Sequence, residues 1–522
     1  MNRIGFGSAL LGRMKGEVVE GRSGQRISGR LLQDAVASCA LGFRGAGNPI
    51  NSPILLALDL SLESVLAYLG ALASGRVFVP IDAKEWREKG QELLDILRPA
   101  ACWFPSHMTR VQKPTSCRVL VGIDRTPPDM PGESAAKLMG DAIDLEDRSS
   151  KIRVLMPTSG STGKPSLVSV TDANLFANTT DIVDSQSLTA DDKALLCLPL
   201  NYCFGASVLH SHLWVGGSVV VDERTMFPEK VLNVIESERC TTFAGVPTSF
   251  LFLQSRSSVL QRQFSNLRLW LQAGGYLSES VVHSFRKAHP NASFIVMYGQ
   301  TEATARIASF VVGGDYPHGC VGYPMSSLEL EIRGENGAVI GPEKEGDIWI
   351  RGASVCAGYY GGSKREANKF IDGWLNTGDI GYKLKDGRLC ITGRSDGFIK
   401  IRGRRVSSVE IEEIIWRAFA LRSCACAIPD PASGEVIGLL LEQHDSLSVD
   451  SRCSSLPAAV DTGNVGVASM SEPEFARRVR SALPQHWDLG PVVSGELPLT
   501  SSGKINRNAC LMTLKKAGGN RC

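Results

Sequence analysis

From Ile54 to Ala303 the chain alternates short apolar runs with segments of helical length, and few folds accommodate that cadence. "ILLALDL" reads as a strand buried on both faces, because its apolar residues are consecutive rather than alternate. "LESVLAYLGALASG" reads as a helix stopped at Gly75, and "RVFVPID" as the next strand. "CWFPS", "CRVLVGI", "KIRVLMPTSG" and "GGSVVVDE" continue as strands, then "PEKVLNVIESERC" as a helix before the strand "TTFAGVP". "LRLWLQAGG", "HSFRKAHP" and "ASFIVMYGQTEA" repeat strand, helix, strand. Such alternation predicts an α/β class: sheets covered by helices on both faces.

The texture changes from about Ser327, where "LELEIRGENGAVIG" and "GDIWIRG" predict short strands joined by Gly and Asn turns, as in a small β subdomain. Further on, the helix "SSVEIEEIIWRAFA" and the strand "SCACAIPD" predict a separate α+β unit. Residues 444–470 are Ser/Gly/Ala-rich and weakly patterned, which predicts a surface loop in that unit, and the tail "KKAGGNRC" is expected to fray. With 522 residues the chain exceeds what one core supports. The expected division is a large N-terminal part, 1–395, made of α/β sheets over 1–326 and a β-rich subdomain over 327–395. A hinge at 396 then leads to a small mobile α+β domain over 397–522.

Charge excludes some functions. Fifty-six Lys and Arg against 54 Asp and Glu give +2, so no basic surface predicts nucleic acid or an anionic membrane as a partner. Fourteen cysteines are scattered with no CxxC, which points to reduced buried thiols in a cytoplasmic protein rather than a zinc site or disulfide framework. The N-terminal apolar run is broken by glycines, and the most apolar stretch carries Asp59, Glu63 and Arg76, so neither a leader nor a membrane span is expected.

Four segments carry chemistry. "TSGSTGKPS" follows a strand and offers the hydroxyls of Thr158, Ser159, Ser161 and Thr162, the backbones of Gly160 and Gly163, and the charge of Lys164. Such a loop can wrap phosphate oxygens. It is not the P-loop pattern, since Thr158 stands where that motif needs glycine and Pro165 follows the lysine. A polar surface turn would share this composition. "MYGQTEA" ends another strand: Glu302 can give a carboxylate to Mg²⁺, Thr301 a hydroxyl to phosphate, and Tyr298 a face to a base. A helix cap would account for Thr301 and Glu302 equally well. "GWLNTGD" places Asp379 after a turn, where its carboxylate could accept both hydroxyls of a ribose, or simply complete the turn. "LPLTSSGKINRN" places Lys504 in a loop, a setting usual for a solvated lysine.

In this order, and with "GRSDGFIKIRGRRVSSVEIEE", these segments resemble the adenylate-forming superfamily of acyl-CoA synthetases, adenylation domains of nonribosomal peptide synthetases, and luciferases. The resemblance extends over about residues 25–515. It implies ATP and Mg²⁺ as cofactors, with Thr158, Ser159, Gly160, Ser161, Thr162, Gly163 and Lys164 around the β,γ-phosphates. Gly274 and Gly275 of "AGG", with Tyr298, would flank adenine. Thr301 and Glu302 would hold the α-phosphate and the metal. Asp379 would hold ribose with Arg394 assisting, and Lys504 would bridge the substrate carboxylate and ATP. Asp396 takes the hinge position, and Lys400 and Gly403 lie on the surface that family members turn inward for the second half-reaction. The family usually continues this loop with a second lysine; Ser166 stands there, so Lys164 is the expected local cation.

The same resemblance bears on the acid. Amino-acid-activating domains set a Phe-Asp pair against the substrate ammonium, whereas Phe204 is followed here by Gly205. An ammonium without its carboxylate would be costly to bury. The pocket at Phe204 and Gly205 is therefore expected to take a carboxylic acid without a free α-amino group, Gly205 leaving room for it. His210 and His212 are expected to be packed or solvent-facing. No carrier-domain attachment motif follows Lys504, so the expected acceptor is coenzyme A or the phosphopantetheine of a separate acyl carrier protein. The competing expectations are a free-standing amino-acid adenylation enzyme and a catalytically inactive scaffold.

Overall fold

The computed structural model describes residues 5–46, 52–108, 113–122, 151–158, 166–314, 316–362, 368–395, 397–401, 404–419, 421–430, 434–442, 472–500 and 505–518. The chain divides into two compact units: Met1–Thr377 with Gly381–Ile391 and Ser501–Gly503, and Gly378–Ile380 with Thr392–Thr500 and Lys504–Cys522.

The first unit holds two helix-covered sheets. One runs Arg118–Val121, Ala101–Phe104, Ile54–Leu58, Phe78–Asp82, Ile152–Thr158, Ser166–Thr171, parallel except for the last pair. All five residues of Ile54–Leu58 are buried, which is why its apolar residues run consecutively. Successive side chains enter opposite cores: Ile54 and Leu56 pack on one face, Leu55 and Ala57 on the other with Trp86, Leu93 and Leu97 of the helix Trp86–Leu97. The second sheet has a parallel run in the order Ser293–Tyr298, Leu269–Gln272, Thr242–Gly245, Lys193–Leu196, Ser218–Val221, Glu17–Glu20. It too alternates, Leu269 and Leu271 facing the core shared with the first sheet, Trp270 facing the helices Pro228–Ser237, Pro247–Arg256 and Glu279–Ala288. The arrangement is helix, sheet, helix, sheet, helix.

The central helices are apolar nearly all round, as burial on both sides requires. Leu62–Ser74 starts where Ser61 accepts a hydrogen bond from the Ser64 N–H and stops at Gly75, whose φ of 76° lets the chain leave in the left-handed conformation. It packs through Tyr68, whose hydroxyl lies 3.1 Å from His210 Nε2 on the helix Cys203–Trp214. His210 and His212 are both packed; His212 Nδ1 sits 3.0 Å from the Val208 carbonyl.

Burial pushes His210 down to about 3 and His212 down to about 4, from an ordinary 6.5. Both are neutral in the folded state at pH 7. Below pH 6.5 the unfolded chain takes up two protons that the native state refuses, so stability falls as pH drops from 6.5 toward 4 and is flat above 7. By linkage each histidine removes about 2 kcal/mol at pH 5. Melting at pH 7.5, 6.0 and 5.0 should show a progressive fall that His210→Asn/His212→Asn flattens. A midpoint that does not move across this range contradicts the assignment.

The β-rich end of the first unit pairs Leu328–Arg333 with Gly346–Gly352 in antiparallel register, Leu330 opposite Ile350. The second unit is a five-stranded sheet, Arg404–Ser407, Phe398–Ile401, Gly434–Glu442, Ser423–Asp430, with Leu489–Gly495 parallel to Gly434–Glu442. Ile411 and Ile415 of the helix Ser408–Phe419 and Val479 of Glu472–Ala482 fill its core. These two units give the α/β class with a smaller α+β part expected from sequence. One expectation needs correction: Lys515 to Gly518 are not frayed but form the last turn of the helix Arg507–Gly518, which Cys510 and Leu514 anchor in a buried cluster. Two lysines favour a helix C-terminus. Residues 444–470 and 519–522 lie outside the described residues. The twelve described cysteines are all free thiols. Among the described residues no helix is long and apolar enough to cross a membrane.

Candidate active site

In a parallel sheet the loops leaving the carboxyl ends of the strands line up at one edge, where open α/β folds bind ligands. Here neighbouring strands Ser293–Tyr298, Leu269–Gln272, Thr242–Gly245 and Lys193–Leu196 end beside one another. Their loops carry Tyr298 to Glu302, Gly274 and Gly275, Pro247, and the run from Leu198 to Phe204. Gly274 has φ of 92°, and Gly275 lies so close to Pro247 that a Cβ would meet its ring at 3.3 Å. The carbonyl of Gly275 accepts from Gln272 Nε2 at 2.8 Å, which fixes this turn.

The loop after Tyr298 is folded tightly on itself. Gly299 has no alternative, because the Ala305 carbonyl occupies the space of any Cβ there. Ile307 N–H donates to the Tyr298 carbonyl at 2.8 Å, closing the loop. Inside it Thr301–Ala303 form one turn of 3₁₀ helix, and Thr304 is held at φ 65°, ψ −42°. For a β-branched residue that conformation costs about 1–3 kcal/mol. The Thr304 hydroxyl offsets part of it by donating to the Ser354 carbonyl at 2.7 Å.

Glu302 is buried, and its carboxylate is held from two sides. The Tyr359 hydroxyl donates to its Oε1, and Lys369 Nζ lies 3.4 Å from the same oxygen and 3.1 Å from the Tyr359 hydroxyl. Its backbone carbonyl accepts from Cys356 N–H at 2.8 Å. Tyr359 in turn bridges to Val168, and Ser169 exchanges hydrogen bonds with Ala357 and Gly358. Val168 belongs to the strand Ser166–Thr171, which pairs with Ile152–Thr158, Thr158 opposite Ser166. The structure thus ties Glu302 to the strand that leaves the hydroxyl-rich loop. Thr158 Oγ1 donates to the Ser166 carbonyl at 3.2 Å, across the base of that loop. Ser159, Gly160, Ser161, Thr162, Gly163 and Lys164 lie outside the described residues, as do Asp396, Gly403 and Lys504.

Thr301 is buried with its hydroxyl 3.6 Å from Cys203 Sγ, so the turn contacts the first turn of the helix Cys203–Trp214. Next to it lies Phe204, 3% exposed, with the guanidinium of Arg306 4.8 Å over its ring. Such a contact contributes about 0.5–2 kcal/mol. Arg306 is itself fully buried; burial brings it down to about 10, which leaves it charged at neutral pH.

Two expectations about this region change. Gly205 does not leave open room: the carbonyls of Pro199 and Leu198 fill the space beside its Cα, the latter 2.7 Å from where a Cβ would stand. The glycine is there because backbone packs on it. Tyr298 is 9% exposed and sits among Ala303, Ile307 and Ala308, so little of its ring remains to face a base.

In the second unit, Asp379 and Arg394 come together. Arg394 Nη1 is 3.5 Å from Asp379 Oδ1, and the Gly378 carbonyl accepts from Ser395 N–H at 2.8 Å. Gly378 has φ of 74°, and Arg394 Nη2 lies 3.3 Å from where its Cβ would be, so a side chain there would be strained and would crowd the guanidinium. Lys400 is exposed on the strand Phe398–Ile401.

Sequence reasoning did not single out Tyr359, Lys369 or Arg306. The first two stand 57 and 67 residues from Glu302. Arg306 stands four residues after the end of the "YGQTE" run, and a charged residue entering an apolar strand was the available signal.

A family model described as "AMP-binding enzyme" matches residues 12–360. Feruloyl-CoA synthase of an Amycolatopsis species is 27% identical, the match covering 91% of each chain. D-alanine–D-alanyl carrier protein ligase of Listeria welshimeri is 25% identical over 95% of each. The solved structure of O-succinylbenzoate coenzyme A synthetase from Bacillus subtilis, in complex with ATP and magnesium ion, superposes with a TM-score of 0.76. It is 22% identical, covering 97% of this chain and 99% of that one.

Proposed function

Since the chain belongs to the AMP-binding enzyme family, we propose that it activates a carboxylic acid with ATP as an acyl adenylate, releases pyrophosphate, and passes the acyl group to a thiol. The carrying observation is the link from the Glu302 carboxylate through Tyr359 to the strand leaving the loop 159–165. It joins a buried acidic oxygen to the base of a loop rich in hydroxyls and glycine.

A carboxylate attacks the α-phosphate and displaces pyrophosphate; both reactants are anions, so the enzyme must cancel charge and hold them in line. We assign the hydroxyls and N–H groups from Thr158 to Gly163, with Lys164, to the β,γ-phosphates, and Thr301 to the α-phosphate. Gly274 and Gly275 let a base approach closely, with an edge of Tyr298. Asp379, steadied by Arg394, would accept the ribose hydroxyls. Lys504 would bridge the acid and ATP. Glu302 fits Mg²⁺, which takes one or two carboxylates beside phosphate oxygens: Tyr359 and Lys369 hold the carboxylate in place, and it would supply one ligand to the ion. Bound there, the ion would neutralise charge that builds on the departing pyrophosphate. No nucleophilic side chain is required.

The second half-reaction is read from the family arrangement: a part over 397–522 turning about Asp396 would withdraw Lys504 and bring Lys400 and Gly403 inward. The acceptor is coenzyme A or a carrier-protein phosphopantetheine, and the acid lacks a free α-amino group, as the Phe204-Gly205 pair suggests.

Acid-dependent exchange of labelled pyrophosphate into ATP across an acid panel tests this reading. Exchange is expected with simple acids, and Lys504→Ala should lower it about 10²-fold or more by removing the bridging charge. Exchange with α-amino acids alone would mean an amino-acid adenylation enzyme. ATP binding with no exchange, unaffected by Lys504→Ala, would mean a scaffold.

A further inference from the structure

Arg306 is the one charged side chain among the largest fully buried residues, at 1% exposure. Its Nε is buried with no hydrogen-bond partner among the described residues, and the electrostatic neighbours of its guanidinium are Cys203 and Tyr202 rather than a carboxylate. The polar contact at this residue is at its backbone, where the carbonyl accepts from Asn178 Nδ2 at 3.0 Å. Buried arginines are ordinarily paired, because leaving such a charge in a low-dielectric setting without an acceptor is strongly unfavourable. The contact with the Phe204 ring does not supply a hydrogen-bond acceptor. What surrounds the guanidinium points to the missing partner: Tyr202, Cys203 and Phe204 open the helix Cys203–Trp214, and Thr301 touches Cys203. Of these, Phe204 is assigned above to the acid pocket and Thr301 to the α-phosphate.

We infer that Arg306 is a specificity-determining residue: the acid carries a second oxyanion, a carboxylate remote from the one activated, and that group pairs with the Arg306 guanidinium. The inference rests on the acid-activating reading. A guanidinium binds a carboxylate by charge and by its fork of N–H donors, which a monocarboxylic acid of equal length cannot reward. The same charge would repel a substrate ammonium. It therefore excludes amino acids by a second route, beside the absence of an aspartate at position 205. Two faces of the loop then do separate work, Thr301 and Glu302 toward nucleotide and metal, Arg306 toward the tail of the acid. Gly299 and the Ala305 carbonyl, packed against each other, set the position of Arg306 in the chain.

The test uses pyrophosphate exchange with straight-chain dicarboxylates from malonate to adipate and the monocarboxylates of equal length. One dicarboxylate is expected to exceed its monocarboxylate partner in kcat/KM by at least about 10²-fold. Arg306→Met should abolish that preference mainly through KM, while monocarboxylate rates change less than about threefold; Arg306→Lys should keep part of it. Melting of each variant, with and without ATP and Mg²⁺, reports folding and nucleotide binding. If Arg306→Met does not fold, the wild-type preference and the Arg306→Lys ratio decide. Monocarboxylates preferred by the wild type, or a ratio unchanged in Arg306→Lys and Arg306→Met, overturn the inference and leave Arg306 as a packing residue against Phe204. Absence of exchange with every acid instead overturns the activity on which it rests.

Discussion

Glu302→Gln is expected to lower acid-dependent pyrophosphate exchange by roughly 10² to 10³-fold while leaving the melting temperature nearly unchanged. The substitution keeps shape and keeps an oxygen that can accept from the Tyr359 hydroxyl, so the tie to the Ser166–Thr171 strand survives. What it removes is the negative charge. Lys369 loses its ion pair, but its side chain is 38% exposed and can be hydrated, so folding suffers little. On the proposed assignment, metal and triphosphate would lose a buried anionic oxygen that nothing in solvent replaces. The loss should appear both as a higher KM for ATP-Mg²⁺ and as a lower kcat. Exchange within about threefold of wild type would remove Glu302 from the metal site, leaving it as the anchor of Tyr359 alone.

Gly205→Asp, the change that would install the carboxylate typical of amino-acid-activating relatives, is expected to damage the fold rather than retarget the enzyme. The obstacle is the Cβ. It would be driven into the Pro199 and Leu198 carbonyls, which are backbone atoms and cannot swing aside. Overpacking of this kind costs about 1–3 kcal/mol or more, and a carboxylate beside two carbonyl oxygens adds repulsion. Gly205→Ala separates the two causes: it should bring most of the loss in melting temperature, with the aspartate adding the rest. Neither variant should gain exchange with amino acids. A Gly205→Asp protein that melts like wild type and activates an amino acid would show that the helix start shifts easily.

Both results concern side chains whose surroundings the linear sequence displays unevenly. The alternation of strands and helices was readable because parallel strands buried on two faces must be continuously apolar, as Ile54–Leu58 is. Thr301 and Glu302 stood out because a short polar run follows an apolar strand, whereas Asp379 lies inside the strand Trp374–Lys383; their roles are those proposed above. Tyr359 and Lys369 were not, since they reach Glu302 only after the chain has crossed the β-rich region and returned along Val168. Gly205 was visible but misread. Composition shows that a side chain is missing and cannot show whether substrate or backbone fills its place. The helix through Lys515 was likewise hidden, since its stability comes from Cys510 and Leu514 packing rather than from the polar end itself.

The closed loop between Tyr298 and Ile307 has a consequence for how this sequence can vary. Its ends are pinned by a backbone hydrogen bond, its waist by Gly299 against the Ala305 carbonyl, and its far side by Thr304 on Ser354. A residue inserted or deleted there has nowhere to be absorbed, because Glu302 and Arg306 sit on opposite sides of Thr304 and would be displaced together. Change in this segment must therefore proceed by substitution at constant length. Outside Gly299, which no other residue can replace, its side chains can change, while its residue count stays as fixed as the bore of a machined part.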